Sequence, residues 1–439
     1  MKILSRYILK DFIKSFIISM FVIYGLLLIQ VMIKLMDKFL GKGLDTIVLA
    51  ELLFYNTASI LSTTIPMAIL IASILTYNKL SSNNEIVAFR ASGINDIKII
   101  KPTFIISIFI CLITIYFSSN ILPEMNYKAW KFNRELKHKR PDIGFDANIY
   151  ENDIPNHIIK FKKRNKTNKS KFYDVTIDQF SNNKLKRTII ADSVNIESDN
   201  QNILFDLFSG SIHERVDLNE EYRKINFQNY KLNINLQDGR NQNINYPRTG
   251  DRLLTLNMLL EENDSLQNII DDKMDKINKR LSTFSLEPID FNQRGELIKS
   301  LELISKDSLN KITDIGKKKL YDRQTTSNQR IISNYIKNID RNVNKINKNT
   351  VEVHKKFALP ISIIIFLLIG APLGIQLKRG GIGMSMAISL MFFILYYILI
   401  VGGEKLADKN QLDPILAMWL PNIIILIFGY ALIFKLKKN

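Results

Sequence analysis

Side chains able to break bonds or hold metals are sparse in this chain and poorly spaced. Its four histidines, His138, His157, His213 and His354, lie far apart and show none of the close spacing that a zinc site uses. Surface or hydrogen-bonding roles suit them better than catalysis. The single cysteine, Cys111, sits inside an apolar block, so one chain can build neither a disulfide framework nor a cysteine metal site. Gly41-Lys42 and Gly316-Lys317 lack the earlier glycine and the following Ser or Thr of a phosphate-binding loop. Neither H-E-x-x-H nor G-x-S-x-G occurs. The expectation is a chain with no catalytic residue, no metal and no bound cofactor, whose chemistry is that of binding.

The most informative binding candidate is a short segment, Ser82 to Gly93. Ser82-Asn83-Asn84-Glu85 reads as a capping box that opens a helix, and Gly93 reads as its left-handed stop. The helix between them, about 82–92, carries Ile86, Val87 and Phe89 beside Arg90, which is too little apolar surface for a core and too much for a solvated helix. It is either an interfacial connector or a docking helix that fits a partner's groove. Lys34 is the second candidate, since a charge near the end of an apolar block is costly unless it reaches water or a partner. Snorkelling to the interface is one reading of it.

The elements that must position these residues are set by hydropathy. Of the 439 residues 46% are hydrophobic, and they are concentrated in six nearly uncharged blocks. The blocks run from Phe12 to Met36, Leu52 to Tyr77, Pro102 to Leu122, Phe357 to Leu377, Met384 to Val401 and Ile415 to Phe434. Each is long enough to cross a hydrocarbon core of about 30 Å. That pattern excludes a soluble protein and, despite a net charge of +18, a simple nucleic-acid binder. The first block is too long for a signal peptide and lacks a cleavage site, so it reads as a retained anchor.

Basic residues in the short flanks orient the spans. Lys2, Arg6, Lys10, Lys14, Lys79, Arg90, Lys98, Lys101, Lys378, Arg379, Lys435, Lys437 and Lys438 fall on one side. On the other, Lys38, Lys42, Lys405 and Lys409 are offset by Asp37, Asp45, Glu51, Glu404, Asp408 and Asp413. The asymmetry predicts cytoplasmic termini and an exported segment between spans three and four. Pro372, Pro421 and the pair Gly402-Gly403, expected to end span five, mark helices that kink either for packing alone or for gating.

The exported segment divides by period. From Asn156 to Leu236, apolar and polar residues alternate, as in Tyr173, Val175 and Ile177 or Ile203, Phe205 and Leu207, which predicts half-buried antiparallel strands. Asn182-Asn183, Asp199-Asn200 and Ser209-Gly210 read as turns. A phase slip between Phe227 and Tyr230 suggests a β-bulge. From Thr255 to Thr350 the period becomes helical: Ile332, Ile336, Ile339, Val343 and Ile346 form one seam, Leu297, Leu301 and Ile304 another, with a break near Pro288. The segment carries an excess of about nine positive charges, suited to an anionic lipid or membrane surface. The predicted fold is a polytopic α-helical membrane protein of six transmembrane helices (3+3), with an inserted periplasmic antiparallel β jelly-roll domain and a helical extension. Its expected divisions are an N-terminal membrane half at 1–122, the β domain at 123–254, the helical insertion at 255–356 and a C-terminal membrane half at 357–439.

Several short motifs, taken in order, resemble the LptF/LptG permease family. They are Arg6-Tyr7-Ile8, the loop Glu85 to Gly93, Glu352 to Pro360, Gly370-Ala371-Pro372-Leu373-Gly374, and Met418-Trp419-Leu420-Pro421-Asn422. The long helical stretch before span four departs from the plainer family pattern. What the resemblance implies is the membrane subunit of a lipopolysaccharide-exporting ABC transporter in the inner membrane of a Gram-negative bacterium. A paralogous LptF/LptG-type permease, an LptB-like ATPase dimer that uses the ATP, and an LptC-like periplasmic bridge would be its partners.

The same resemblance assigns residues. Glu85 would be the carboxylate that meets the ATPase and Phe89 the aromatic knob, with Ile86 and Arg90 beside them. Lys34 and Lys38 would meet anionic groups of the lipid's head, and spans one and five, around Ile23 to Val31 and Ser389 to Ile400, would form lateral openings. Val175, Ile177 and Phe227 are candidates for an apolar lining of the β domain. Two other readings stand beside this one: a permease for another amphiphile, and a membrane-anchored periplasmic scaffold without transport.

Overall fold

The computed structural model describes residues 2–39, 46–139, 148, 150–151, 154, 156–165, 171–181, 184–198, 202–216, 221–235, 247–282, 288–291, 315–377 and 381–438. The helices are α1 (Lys2–Phe39), α2 (Thr46–Ser82), α3 (Glu85–Ala91), α4 (Asp96–Tyr116), α5 (Leu122–Lys139), α6 (Leu256–Ser282), α7 (Ile315–Gln376), α8 (Gly381–Asp408) and α9 (Pro414–Lys438), with a π-helical segment, Phe117–Ile121, joining α4 to α5. Among the described residues six helical stretches are long and apolar enough to span a membrane, three before the strands and three after. The chain divides into two compact units: Met1–Tyr24 with Leu61–Glu124 and Gly250–Asn439, and Gly25–Ile60 with Met125–Thr249.

In the first unit the spans are held by close backbone approach. A Cβ on Gly370 would lie 1.8 Å from Ser73 Oγ, and one on Gly374 would lie 2.7 Å from Ile74 O. These two glycines, four apart on α7, form a small-residue stripe that lets α2 approach, the commonest device where lipid removes any hydrophobic drive between helices. Phe366, Ile369 and Ile365 of α7 then pack with Leu70, Ile74, Tyr396, Ile400 and Ile425. The expected end of span five at Gly402-Gly403 is not found: α8 runs through both glycines to Asp408. A glycine pair costs a helix only about 1 kcal/mol per residue, which apolar neighbours offset.

α7 is 62 residues long and passes from the insertion into span four without a break. Its first half pairs with α6, where Ile270, Met274, Ile277 and Leu281 meet Ile332, Ile336 and Ile339. The seam of Ile332, Ile336 and Ile339 thus belongs to a helical hairpin, with Val343 and Ile346 at its margin. Pro288 lies in non-helical chain after α6, while Leu297, Leu301 and Ile304 fall outside the described residues.

The second unit contains a six-stranded antiparallel sheet, β1 (Tyr150–Glu151), β2 (His157–Arg164), β3 (Lys171–Ser181), β4 (Lys184–Ser198), β5 (Asn202–Val216) and β6 (Glu221–Asn235). The antiparallel β domain inserted between helices is as expected. Its strand order is sequential, a meander in which each strand pairs with its chain neighbours, without the crossed connections of a jelly roll.

The sheet is creased. Val175 and Ile177 are buried on odd positions of β3, yet Phe172, of opposite parity, is buried too; the same exchange separates Ala191 from Val194 and Leu207 from Ile212. Pairing continues in constant register on either side, Tyr173↔Ser193 and Val175↔Ala191, then Ser193↔Phe208 and Ala191↔Gly210, then Phe208↔Asn229 and Gly210↔Phe227. Between them Asp174, Asp192, Ser209 and Gln228 form a line across four strands. Asp174 (φ 54°) and Ser209 (φ 51°) take left-handed backbone, which reverses the pleat and exchanges inward for outward positions.

Two sequence expectations fail here. The slip between Phe227 and Tyr230 is no bulge in β6, because its register with β5 holds from Asn202↔Asn235 to Val216↔Glu221. Ser209-Gly210 is no turn, because it lies inside β5, where a Cβ on Gly210 would meet Ile190 O at 2.2 Å and the Phe227 ring at 2.6 Å. Asn182-Asn183 and Asp199-Asn200 fall outside the described residues. Buried residues from both sides of the crease, Phe172 and Val194 with Ile177 and Ile189, share one apolar cluster.

Candidate functional site

The first candidate site is α3. The expected capping box does not form: Ser82 is the last residue of α2 and its Oγ donates to Asn78 Oδ1 (3.0 Å). Asn84, with φ 57° and no side-chain cap, opens α3 instead. Asparagine tolerates the left-handed backbone found at Asn84, which frees Ser82 to continue the preceding helix. Glu85 Oε1 accepts from Asn83 Nδ2 (3.0 Å) and from Tyr7 OH (3.3 Å) on α1. At the other end Gly93 (φ 76°) ends the helix as expected, with Ile94 N donating to Phe89 O and Gly93 N to Arg90 O, both at 2.9 Å. That pair is a Schellman motif.

α3 has two faces. Ile86, 3% exposed, packs with Ile8, Tyr77, Leu80, Ile99, Ala371 and Ile375, and Phe89 borders the same cluster. Ile86 is thus a core residue, contrary to the expectation of too little apolar surface for a core; the surface is completed by four other helices. Val87 stands 51% exposed on the opposite side. Arg90 makes a fork to Asp96, Nε to Oδ1 at 2.9 Å and Nη2 to Oδ2 at 2.6 Å. The hydrogen bonds to Asp96 raise the Arg90 pKa above its ordinary value. The signal for this pair was the Gly93 reversal, which brings residues three before and three after it side by side.

The candidate lining of the β domain is brought together. Val175 and Ile177 are fully buried in one cluster with Phe161, Phe172, Ile189 and Phe205, and Phe227 packs against it beside Tyr230 (5.4 Å between rings). Lys34 is exposed on α1; Lys38 lies in the same helix with its side chain outside the described residues. His213 bonds Ser211 and Tyr222, and His354 Nδ1 accepts from Trp419 Nε1 (3.2 Å).

A polar network went unread in the sequence. Glu404 on α8 accepts from Arg252 (2.7 Å) and Lys355 (2.8 Å), and Lys355 also lies 3.5 Å from Glu352. Lys356, 2% exposed, donates to Ser118 O (3.3 Å) in the π segment, where irregular hydrogen bonding leaves carbonyls available. Asn422 donates to Ala358 O (2.9 Å). Residues 352–358 on α7 and 419–422 on α9 are therefore two sides of one interface. Both segments carry motifs of the family resemblance, but their pairing does not show in the sequence, because the partners lie too far apart along the chain to be paired by spacing.

The family described as "Lipopolysaccharide export system permease LptF/LptG" matches residues 6–435. A curated relative from Rickettsia prowazekii (strain Madrid E), named "Uncharacterized protein RP871", is 26% identical over 206 residues, 47% of this chain and 52% of that protein. The chain thus spans about half the length of that relative. A family match running through both sets of spans and the inserted sheet is consistent with the architecture, and the chain belongs to the LptF/LptG family of lipopolysaccharide export permeases.

Proposed function

We propose that this chain is one permease subunit of a transporter that extracts lipopolysaccharide from the inner membrane and passes it to a periplasmic bridge. It works beside a paralogous permease of the same family, on an LptB-like ATPase dimer that spends the ATP, with an LptC-like protein receiving the lipid. Both termini and α3 face the cytoplasm, and the sheet and the α6–α7 hairpin face the periplasm. The observation that carries this reading is the two-faced α3. Its inner side is built into the helical core through Ile86, and its outer side offers Val87, the edge of Phe89 and the Glu85 carboxylate to a partner. In this reading Arg90 fixes the shape of the loop through Asp96. Val175, Ile177 and Phe227 line the sheet's apolar interior, which takes acyl chains when the crease opens. Lys34 and Lys38 meet anionic groups at the lipid's head. Purification of the chain in mild detergent, with mass spectrometry of co-purifying protein and lipid, tests it: an ATPase and lipopolysaccharide are expected. A different bound amphiphile would replace the substrate, and absence of any ATPase would favour a scaffold.

A further inference from the structure

The last turn of α2 holds three other spans. Lys79 Nζ pairs with Asp11 Oδ2 on α1 at 2.6 Å. Its neighbour Asn78, 4% exposed, donates through Nδ2 to Ser385 Oγ on α8 at 2.8 Å. Ser81 Oγ, two residues on, donates to Ile375 O on α7 at 2.7 Å. Three hydrogen-bonding side chains within four residues thus fasten α1, α7 and α8 to one helix end.

The backbone that leaves this turn is tied down as well. Asn83 N donates to Lys79 O (3.0 Å) and Asn84 N to Ser81 O (3.1 Å), and Ala88 N of α3 returns to Asn84 O (3.1 Å). A two-residue elbow with both N–H groups bonded back to the helix before it has little freedom to absorb movement. α1 adds a second contact to the same place. Leu4, Tyr7, Ile8 and Asp11 share one face of that helix by their spacing, with Leu4 and Ile8 in the cluster that holds Ile86 and Phe89, and Tyr7 OH on Glu85.

We infer that Asn78, Lys79 and Ser81 are positioning residues that carry a displacement of α3 into α1, α7 and α8 together. This rests on the reading of α3 as the ATPase-docking helix. The Lys79 side chain is 55% exposed, and so open an ion pair contributes little to stability; its role is the alignment of α1 against α2. Asn78 differs, because its amide lies among apolar spans, where a lost partner is costly, so its bond to α8 persists as the helices move.

The charge pair supplies the test, in the full transporter of both permeases and the ATPase reconstituted in vesicles with lipopolysaccharide. Asp11→Lys and Lys79→Asp alone should each keep the ATPase co-purifying while lipid released per ATP hydrolysed falls about fivefold. The exchanged pair, Asp11→Lys with Lys79→Asp, should recover to within about twofold of the unmutated ratio. Recovery separates alignment from general damage to the fold. An unchanged ratio in either single variant, or no recovery in the exchange, overturns the inference. If the ATPase does not accompany even the unmutated chain, the docking reading itself is overturned, and the inference with it.

Discussion

Val87 and Phe89 sit two residues apart on a seven-residue helix and differ in what their loss would do. Val87 touches solvent over half its surface, whereas Phe89 also borders the cluster around Ile86. Val87→Asp should therefore leave folding intact and reduce ATPase co-purification at least about tenfold, since a carboxylate driven into a partner's groove costs more than 1.4 kcal/mol. Phe89→Asp should do the same with an added loss of thermal stability. Comparable ATPase recovery from both variants and the unmutated chain, in a pull-down at equal expression, would remove α3 from the docking role. The loop that carries Glu85 and Phe89 stands out in the sequence because recognisable start and stop residues bracket it, while the docking roles of the two come from the family resemblance. The helix stops at Gly93, as its residue type demands, but starts at Asn84 and not at Ser82. Capping patterns report local preference only, and here tertiary packing extends α2 through Ser82 to the Asn83-Asn84 elbow.

Spans and the hairpin seam are readable in the sequence because each is a one-dimensional pattern: a long uncharged run, or apolar residues returning every three or four positions. The crease is not, because it exists only in the agreement of several strands. In β6 alone it imitates a bulge, in β5 alone a turn at Ser209-Gly210, and only the constant register on either side reveals one fold line. Gly210 is where that line leaves least room. Gly210→Ala should destabilise the sheet by about 1–3 kcal/mol, because backbone at Ile190 cannot give way as a flexible side chain would; a lowered midpoint in thermal unfolding of the detergent-solubilised chain would register it. The buried face makes a second claim testable. A photo-crosslinking residue at Ile177 should trap lipopolysaccharide only while the ATPase is turning over, whereas one at Thr176, on the other face, should not. Equal trapping at both positions would end the case for an internal passage, and trapping without ATP would mean binding without driven transfer.

At the scale of the whole molecule, the basic residues at the short flanks predict a direction across the membrane. The native thiol helps to check it, since Cys111 is 3% exposed within its span and gives little background. Asn268→Cys on α6 should react with an impermeant thiol reagent added outside intact cells stripped of their outer membrane, and Ser92→Cys should react only after lysis. The opposite pattern would invert the topology and with it the direction of export. Placed in that frame, the unbroken helix from Ile315 to Gln376 acquires a mechanical meaning. Its portion before residue 357 is roughly 60 Å long at 1.5 Å per residue. A tilt of about 5° imposed where it enters the bilayer would swing its outer end through about 5 Å, close to one helical turn. Small rotations among tightly packed spans, too slight to register as rearrangement near the membrane, would be read at the tip of that rod as a change of position.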